Sequence, residues 1–201
     1  MISVEPIRSK KEIRAMRLVL KGGSIRNELL FVLGINIGLR ISDILELKIR
    51  DIVLPDSTVK DSVSIKEKKT GKTKRFYFSR IVKKTIQEYL DSLEQIISEY
   101  YIFQSRKGRN RPISRLQAYR IINQAAEMVG LVVRDQEGKI VKGEIGTHTL
   151  RKTFGYHAYK NGTDLVLLQD IFNHSSPSTT LRYIGITEEE KQEVYLSSNL
   201  G

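Results

Sequence analysis

The sequence predicts an α+β domain that is mainly α-helical and carries a small antiparallel β-sheet. Two observations lead to this prediction. Apolar residues recur at helical spacing along most of the 201 residues, whereas alternation of apolar and polar residues is concentrated between 61 and 79. The chain is long enough to bury a substantial core, and no linker or repeat divides it. We therefore expect residues 1–201 to form a single domain.

Three helices are predicted before the alternating segment. Residues 8–20 have apolar positions at helical spacing, with Ser9 as N-cap. The strongly apolar stretch 25–37 predicts a central core helix, and 41–47 predicts a short amphipathic one. Arg40 lies at the junction between the last two. By position alone, neutralising helix-end carbonyls is favoured over pointing into a cleft.

The alternating segment predicts a β-hairpin that pairs 61–66 with 74–79 across a turn containing Gly71. Between Lys66 and Lys84 the chain has nine lysines or arginines and one acidic residue. Solvated lysines that discourage edge-to-edge aggregation are one explanation. A tip that contacts DNA is the explanation we favour in so basic a chain, and its expected DNA-binding residues are Lys68, Lys72 and Lys74.

The following segment predicts a long helix over 81–99, a short strand over 100–103 and a helix from Ser114 to about Val129, then a loop or small hairpin. A run of basic residues without acidic neighbours precedes and enters the helix that Ser114 caps. A basic loop leading into a helix N-terminus is suited to phosphate contact. The expected DNA-binding residues here are Arg106, Lys107, Arg109, Arg111 and Arg115.

The formal net charge is +11, which indicates a polyanionic partner, most commonly nucleic acid. The chain has no cysteine, so disulfides and thiolate metal sites are excluded. The N-terminus lacks the apolar core of a signal peptide, and no apolar run is long enough to span a membrane. We expect a cytoplasmic protein without a membrane partner.

The stretch 146–185 contains the groups with the most distinctive chemistry. His148 and Arg151 are three residues apart and share a face of a predicted helix, while His174 follows a probable turn and Tyr183 ends the stretch. Two imidazoles, a guanidinium and a phenol, without a carboxylate cluster, suit the attack of an oxygen nucleophile on a phosphodiester. His157 falls out of phase with His148 and is predicted to be structural or exposed.

The motifs G-L-R-I-S-D, H-T-L-R, N-H-S-S and T-T-L-R-Y, with the lysine hairpin between the first two, together resemble the tyrosine recombinase (phage integrase) family. The resemblance extends from about Ile25 to Tyr183 and includes the relative spacing of the motifs. It implies the integrase catalytic fold and site-specific cleavage and rejoining of DNA through a covalent 3′-phosphotyrosine. It also implies a reaction that needs neither metal nor ATP, in the service of a phage or other mobile element.

The resemblance assigns catalytic positions residue by residue. Two arginines would hold the scissile phosphate, two histidines would line the pocket, a hairpin lysine would protonate the leaving 5′ oxygen, and a tyrosine would attack: Arg40, Arg151, His148, His174, Lys69 and Tyr183. Lys72 is the rival of Lys69, because the turn length leaves the alignment loose. Asp43 matches an acidic position that supports the site in the family.

The chain departs from the family in two respects. Asn173 replaces the glycine that is common before the second histidine, a change that is tolerable because asparagine also adopts the left-handed backbone conformation. Arg40 comes so early that no N-terminal DNA-binding domain precedes it, which is compatible with a minimal recombinase or with a fragment. The tail 186–201 would dock on a neighbouring protomer or on its own domain. Double-stranded DNA and self-association into a dimer or tetramer on DNA are the expected partners. The alternatives are a non-catalytic DNA-binding regulator that retains the fold, and a metal-dependent nuclease, which the shortage of carboxylates disfavours.

Overall fold

The computed structural model describes residues 4–67, 71–143 and 145–197. The chain in these ranges is mostly helical, with two small antiparallel sheets, and this confirms the predicted fold class. In chain order the elements are α1 (Lys10–Gly23), α2 (Ile25–Ile37), α3 (Ile41–Leu45), α4 (Ile49–Ile52), β1 (Ser62–Lys66), β2 (Thr73–Tyr77), α5 (Arg80–Asp91), α6 (Arg115–Met128), β3 (Val133–Arg134), β4 (Ile140–Lys142), α7 (Thr147–Lys160), α8 (Leu165–Phe172), α9 (Pro177–Ile184) and α10 (Glu188–Ser197).

Helix α2 is the centre of the domain. It contacts α1, α5 and α7, and its residues 29–33 are fully buried. A helix that is apolar on all sides must be covered on all sides, which is why α2 lies inside. Gly38 ends it in the left-handed conformation at φ 64°, and a Cβ on Gly38 would lie 2.5 Å from the Phe154 ring. The chain can therefore turn sharply at the end of α2, in close contact with Phe154 of α7, only with glycine here.

The predicted hairpin is confirmed. Strands β1 and β2 pair antiparallel, with Val63 opposite Phe76 on the buried face. The Gly71 amide donates to the Glu67 carbonyl at 2.8 Å and closes the turn. Lys68 and Lys69 lie outside the described residues, so their predicted roles remain predictions.

The helix predicted over 81–99 is too long, because α5 ends at Asp91. The segment that follows makes backbone hydrogen bonds to the start of α4 instead. The amide of Arg50 donates to the Ser98 carbonyl, and that of Ile49 to the Tyr100 carbonyl, each at 2.9 Å. These long-range bonds replace the helical ones that apolar spacing alone favoured. The strand predicted over 100–103 is reduced to one bridge, between Lys48 and Tyr101.

Helices α7, α8 and α9 lie within the stretch 146–185. Helix α7 begins at Thr147, with Gly146 at the N-cap. Asp164 caps α8 and Ser176 caps α9 through their side chains. Asn173 adopts the left-handed conformation at φ 54°, as its position before His174 predicted. None of the helices in the described residues is long and apolar enough to cross a membrane.

Candidate active site

Arg151 occupies the centre of the site and is almost fully buried, with 3% of its surface exposed. Its Nη1 donates to the Gly38 carbonyl at 2.6 Å and its Nη2 to the Phe172 carbonyl at 3.0 Å. These carbonyls end α2 and α8, where helix dipoles place partial negative charge. In the part of the chain that the structure describes, no carboxylate accepts a hydrogen bond from this guanidinium, whose pKa is lowered by burial and raised by the charges of Tyr183 and Glu67.

Arg40 lies at the N-cap of α3, and its Nη1 donates to Glu67 Oε1 at 2.7 Å. The Glu67 side chain is fully buried at the end of β1, whereas that of Arg40 keeps 18% of its surface exposed. Arg40 also lines a large cleft, so of the two interpretations of its position, the cleft is the one the structure supports. The hairpin carboxylate orients this arginine.

Tyr183 is placed by the capping of α9 at Ser176 and by packing of its ring. The ring centroid lies 4.9 Å from that of His174 and 5.4 Å from that of Phe172, both in edge-on geometry. The His174 ring is oriented by Thr180, whose Oγ1 lies 3.1 Å from His174 Nδ1. Tyr183 and His174, nine residues apart in the sequence, thus form one aromatic cluster with Phe172. The Arg151 guanidinium lies against the Phe172 ring, 4.7 Å from its centroid.

Two opposing effects act on the Tyr183 phenol. Burial raises its pKa, and the Arg151 guanidinium lowers it through its charge and a hydrogen bond, with a further contribution from the charge of Arg40. Burial is the larger effect, so the phenol is protonated at neutral pH. An attack by Tyr183 therefore requires removal of its proton during the reaction.

Lys152 follows directly after the H-T-L-R motif, and the sequence did not identify it as a site residue. It is 7% exposed, and its Nζ lies 5.5 Å from the centroid of the Tyr183 ring, within the range of a cation–π contact. Burial lowers the pKa of its ammonium group, while the charge of Glu5 raises it. Two buried cations at consecutive positions of α7, Arg151 and Lys152, thus lie near the Tyr183 ring.

His148 is exposed at the first turn of α7 and faces the same cleft as Arg40. The cleft has a volume of about 1030 Å³ and is also lined by Arg115, at the start of α6. The His148–Arg151 spacing therefore puts one side chain at the cleft surface and the other in the interior. His157 is structural, as predicted, and its Nε2 lies 2.9 Å from the Ile7 carbonyl.

Two of the hairpin lysines reach the segment that carries His174. Lys72 is exposed, and its Nζ donates to Asn173 Oδ1 at 3.2 Å. Lys74 Nζ donates to the Asp170 carbonyl and lies 3.8 Å from the Asp170 carboxylate. Lys72 and Lys74 thus connect the β2 side of the hairpin to the end of α8, next to the candidate site. Lys74 has a structural contact there, which its predicted DNA-binding role did not include.

The remaining basic residues of the prediction are exposed around the start of α6: Arg106, Lys107, Arg109, Arg111 and Arg115. Arg115 lines the cleft of Arg40 and His148, while Arg106, Lys107 and Arg111 line a second cleft. Asp43 is buried in α3, three residues after Arg40. Sequence reasoning missed Glu67 and Lys152. The only signal for Glu67 was its position as the single acid of a basic hairpin.

Known proteins are similar to this chain in sequence and in fold. The sequence model of the phage integrase family matches residues 9–190. The chain belongs to the phage integrase family. It is 43% identical over 192 residues to a probable integrase/recombinase, YoeC, of Bacillus subtilis (strain 168), and the match covers 96% of this chain and 95% of the relative.

Longer family members are more distant. Tyrosine recombinase XerA of Pyrococcus furiosus is 25% identical over 192 residues, and the match covers 96% of this chain but only 61% of the relative. The crystal structure of a XerA recombinase superposes with a TM-score of 0.71 at 21% identity, over 96% of this chain and 65% of the other. A lambda integrase dimer bound to a core site gives 0.66 at 18% identity, over 93% of this chain and 50% of the other. These two structures show the integrase catalytic fold.

The family predicted from the order of the motifs is therefore confirmed, and so is the predicted class of enzyme, tyrosine recombinase. The non-catalytic regulator is not favoured by these relatives, which are named as integrases and recombinases.

Proposed function

We propose that this member of the integrase family cleaves and rejoins double-stranded DNA at specific sites, with Tyr183 as nucleophile. The observation that carries the proposal is the packing of a buried phenol against a guanidinium, Arg151, whose own hydrogen bonds go to carbonyls rather than carboxylates. A structural arginine is commonly neutralised by a carboxylate. Here the positive charge is retained beside a potential nucleophile.

The two arginines would bind the non-bridging oxygens of the scissile phosphate. Attack on phosphorus concentrates negative charge on these oxygens, and guanidinium groups present rigid donor pairs that match them. Arg151 is already fixed by Gly38 and Phe172, and Arg40 by Glu67, so little reorganisation is needed when the charge develops. The exposed part of Arg40 opens onto the cleft, which supports entry of the phosphate from that side.

The chemical step balances without a further reactant. The Tyr183 oxygen attacks phosphorus and forms the phosphotyrosine bond, while the bond from phosphorus to the 5′ oxygen breaks. His148, at the cleft surface, would accept the phenol proton, and His174, in ring contact with Tyr183, would donate a hydrogen bond to the phosphate. A 5′ hydroxyl from a second DNA end then reverses the step and releases Tyr183.

The general acid for the leaving 5′ oxygen is proposed to be a lysine of the hairpin tip. Lys69 is the position that the family resemblance favours. Lys72, its rival, is supported by its contact with Asn173, the residue before His174. Substituting each lysine by methionine, and rescuing each variant with a DNA substrate that carries a better leaving group than a 5′ hydroxyl, would separate the two. Only the variant that has lost the general acid should be rescued.

Residues 186–201 are proposed to mediate self-association on DNA. The start of α10 is fixed to its own domain, because Glu190 Oε1 lies 2.6 Å from Lys160 Nζ. The last turn carries Tyr195 and Leu196, which are 82% and 74% exposed. An apolar turn at the end of an anchored helix suits a pocket on a neighbouring protomer. If a Tyr195→Ser/Leu196→Ser double variant still assembled into dimers or tetramers on DNA, the tail would not mediate this contact.

A reaction on chromosomal or phage DNA also implies a cytoplasmic enzyme. Residues 1–201 are proposed to act as the catalytic domain. The chain spans about three fifths of the XerA sequence, so the activity of a whole XerA-like protein is part of the proposal.

Covalent capture tests the proposal without knowledge of the target sequence. Fragmented DNA from a strain that carries the gene is incubated with the protein in EDTA and denatured in detergent, and protein-linked fragments are recovered and sequenced. Wild type should give adducts at a common sequence, and Tyr183→Phe should give none. If wild type bound duplex DNA yet formed no adduct in any fragment, the regulator hypothesis would replace this one.

A further inference from the structure

The segment 4–8, which precedes α1, lies against the end of the helix that carries Tyr183. Arg8 Nη2 donates to the carbonyl of Gly185, the C-cap of α9, at 2.7 Å. A Cβ on Gly185 would lie 3.0 to 3.2 Å from atoms of three residues of this segment. The segment and the end of α9 are therefore packed too closely for a side chain between them, and we call residues 4–8 the N-terminal strap.

The strap is anchored on α7. Ile7 is 1% exposed, its amide donates to Thr153 Oγ1 at 2.9 Å, and its carbonyl lies 2.9 Å from His157 Nε2. Thr153 is itself buried, and its Oγ1 donates to the Thr149 carbonyl at 2.7 Å. Pro6, before Ile7, has a fixed φ and no amide hydrogen, which restricts the strap further. The strap is therefore a rigid support for the end of α9.

Arg8 is held by contacts within the strap and on α7. Its Nη2 lies 3.1 Å from Glu5 Oε2, and its guanidinium lies 5.3 Å from the centroid of the Tyr156 ring. The Arg8 side chain is 35% exposed, so solvent screens the ion pair with Glu5, which orients the guanidinium more than it stabilises the fold. The hydrogen bond to Gly185 places this positive charge at the C-terminal end of α9, where the helix dipole is negative.

Helix α9 depends on contacts of this kind because it has only eight residues. Helices this short are not stable in isolation, so tertiary contacts determine the position of α9. Tyr183 is its penultimate residue, and a shift of the helix end would move the phenol directly. Misplacing a reacting group by about 1 Å can cost about 10² in rate.

The strap also acts on the cation beside the Tyr183 ring. Burial lowers the pKa of the Lys152 ammonium group, and the charge of Glu5 opposes this effect. Lys152 Nζ lies 5.5 Å from the centroid of the Tyr183 ring. The strap thus affects the surroundings of Tyr183 both at the end of α9 and through Lys152.

We infer that the N-terminal strap positions Tyr183 for attack, with Arg8 as the positioning residue that holds the end of α9 through the Gly185 carbonyl. The inference rests on the proposed function, because it assigns the strap a role in the reaction of Tyr183. Arg8 acts through α9 and not on the phosphate. It therefore affects the rate of adduct formation at saturating DNA and leaves the affinity for DNA unchanged.

Single-turnover kinetics of Arg8→Gln test this role. The substrate is a duplex with the sequence recovered by covalent capture, nicked near the cleavage point so that the released strand diffuses away. The maximal rate of adduct formation should fall by about 10-fold to 10²-fold, since the phenol is no longer held in place. The DNA concentration that gives half of the maximal rate should stay unchanged.

Two further variants make the result specific. Arg14→Gln, which removes an exposed arginine of α1, is the matched control and should keep the wild-type rate. Arg8→Lys keeps a cation and a donor for the Gly185 carbonyl, so its rate should lie between those of wild type and Arg8→Gln. If Arg8→Gln cleaved at the wild-type rate, or slowed only as much as Arg14→Gln, the inference would be overturned.

Titration of the Tyr183 phenol distinguishes positioning from a general loss of stability. The tyrosinate absorbance of Arg8→Gln is measured without DNA, and the curve of Arg8→Gln/Tyr183→Phe is subtracted from it. Burial raises the pKa of Tyr183, so release of the helix end should move this pKa towards its ordinary value of about 10. A slower reaction with an unchanged titration curve would show that Arg8 does not act through the position of Tyr183.

The outcomes also separate this inference from the proposed function. If wild type forms adducts and Arg8→Gln matches it in rate and in titration, the enzyme is a recombinase whose nucleophile does not depend on the strap. If wild type forms no adduct but the Tyr183 curve moves in Arg8→Gln, the strap positions Tyr183 and the proposed catalysis is wrong. A slower reaction together with a moved curve would support both.

Discussion

Arg40 and Glu67 form an ion pair of 2.7 Å between the N-cap of α3 and the end of β1, and the Glu67 side chain is fully buried. The pair links the central helices to the basic hairpin. It also sets the direction of an arginine that would hold the scissile phosphate. Under the proposed function the hairpin would have two roles: it would supply the general acid, and its Glu67 carboxylate would orient the arginine that binds the phosphate.

Removing the charge of Glu67 should weaken both the fold and the reaction. In Glu67→Gln, the hydrogen bond to Arg40 is no longer charge-assisted, and the free energy of unfolding should fall by about 1.5–3 kcal/mol. Cleavage should slow because Arg40 loses its fixed orientation. Urea unfolding and single-turnover cleavage would measure the two effects.

Glu99→Gln is the matched control. Glu99 accepts from Lys48 and Arg50 at the surface, with half of its side chain exposed. Solvent screens such pairs, so stability and cleavage should stay close to wild type. Equal losses in the two variants would mean that the buried carboxylate has no special connection to Arg40.

Arg151→Lys should be inactive or nearly so despite keeping the charge. A lysine has no planar fork, so it cannot donate to Gly38, Phe172 and a phosphate in the same geometry. Loss of a positioned donor of this kind costs about 10²–10³ in rate. Arg182→Lys, an exposed residue of α9, should change the single-turnover rate little, and a similar drop there would point to a general effect on α9.

The ionisation of Tyr183 should appear as a difference between the pH titration curves of wild type and Tyr183→Phe. Burial raises the pKa of the phenol above its ordinary value of about 10, despite the opposing charges of Arg151 and Arg40. The folded state therefore favours the protonated phenol. Its contribution to stability is complete below about pH 10 and is lost as the pH rises through the folded-state pKa.

Ultraviolet titration of tyrosinate absorbance tests this sign. Burial also raises the pKa of Tyr89 and Tyr156, so the wild-type curve alone is ambiguous. Subtracting the curve of Tyr183→Phe isolates the one phenol. A difference curve centred below pH 10 would show that the two arginines outweigh burial.

Gly155 lets α8 and α9 approach α7 closely. A Cβ on Gly155 would lie 2.6 Å from the Phe172 ring and from the Ile184 side chain, next to Tyr183. Gly155→Ala should therefore reduce the free energy of unfolding by about 1–3 kcal/mol through overpacking and displace Tyr183. Thermal unfolding and adduct formation would measure both consequences.

Gly22→Ala, on another helix, should have the opposite effect on stability. It lies in α1 with no atom near the new methyl group, so the better helix propensity of alanine should stabilise the domain by up to about 1 kcal/mol. If Gly155→Ala were as stable as Gly22→Ala, the close approach of the helices would not depend on glycine.

The sequence by itself determined the fold class, the core helix α2 and the positions of the candidate catalytic groups. These follow from local patterns: apolar spacing, capping residues such as Ser9 and Ser114, and motifs whose order along the chain is characteristic. The buried faces of the hairpin strands were also predictable, because alternation sets which face of each strand is buried. The register was not, since Lys66 lies opposite Thr73 and not opposite Lys74, as pairing 61–66 with 74–79 implied. The end of α5 was not, because backbone hydrogen bonds to the start of α4 override helical spacing.

Only the tertiary structure decided how the site is held. Glu67 is 27 residues from Arg40 in the chain, and the carbonyls that hold Arg151 lie at positions 38 and 172, at the ends of two other helices. No local sequence pattern predicts such partners, since backbone carbonyls are the same for every residue type. The same holds for Lys152, whose contact with Tyr183 depends on how α7 and α9 cross. The sequence specifies which chemical groups are present, whereas the electrostatic environment of each group depends on distant segments that packing brings together.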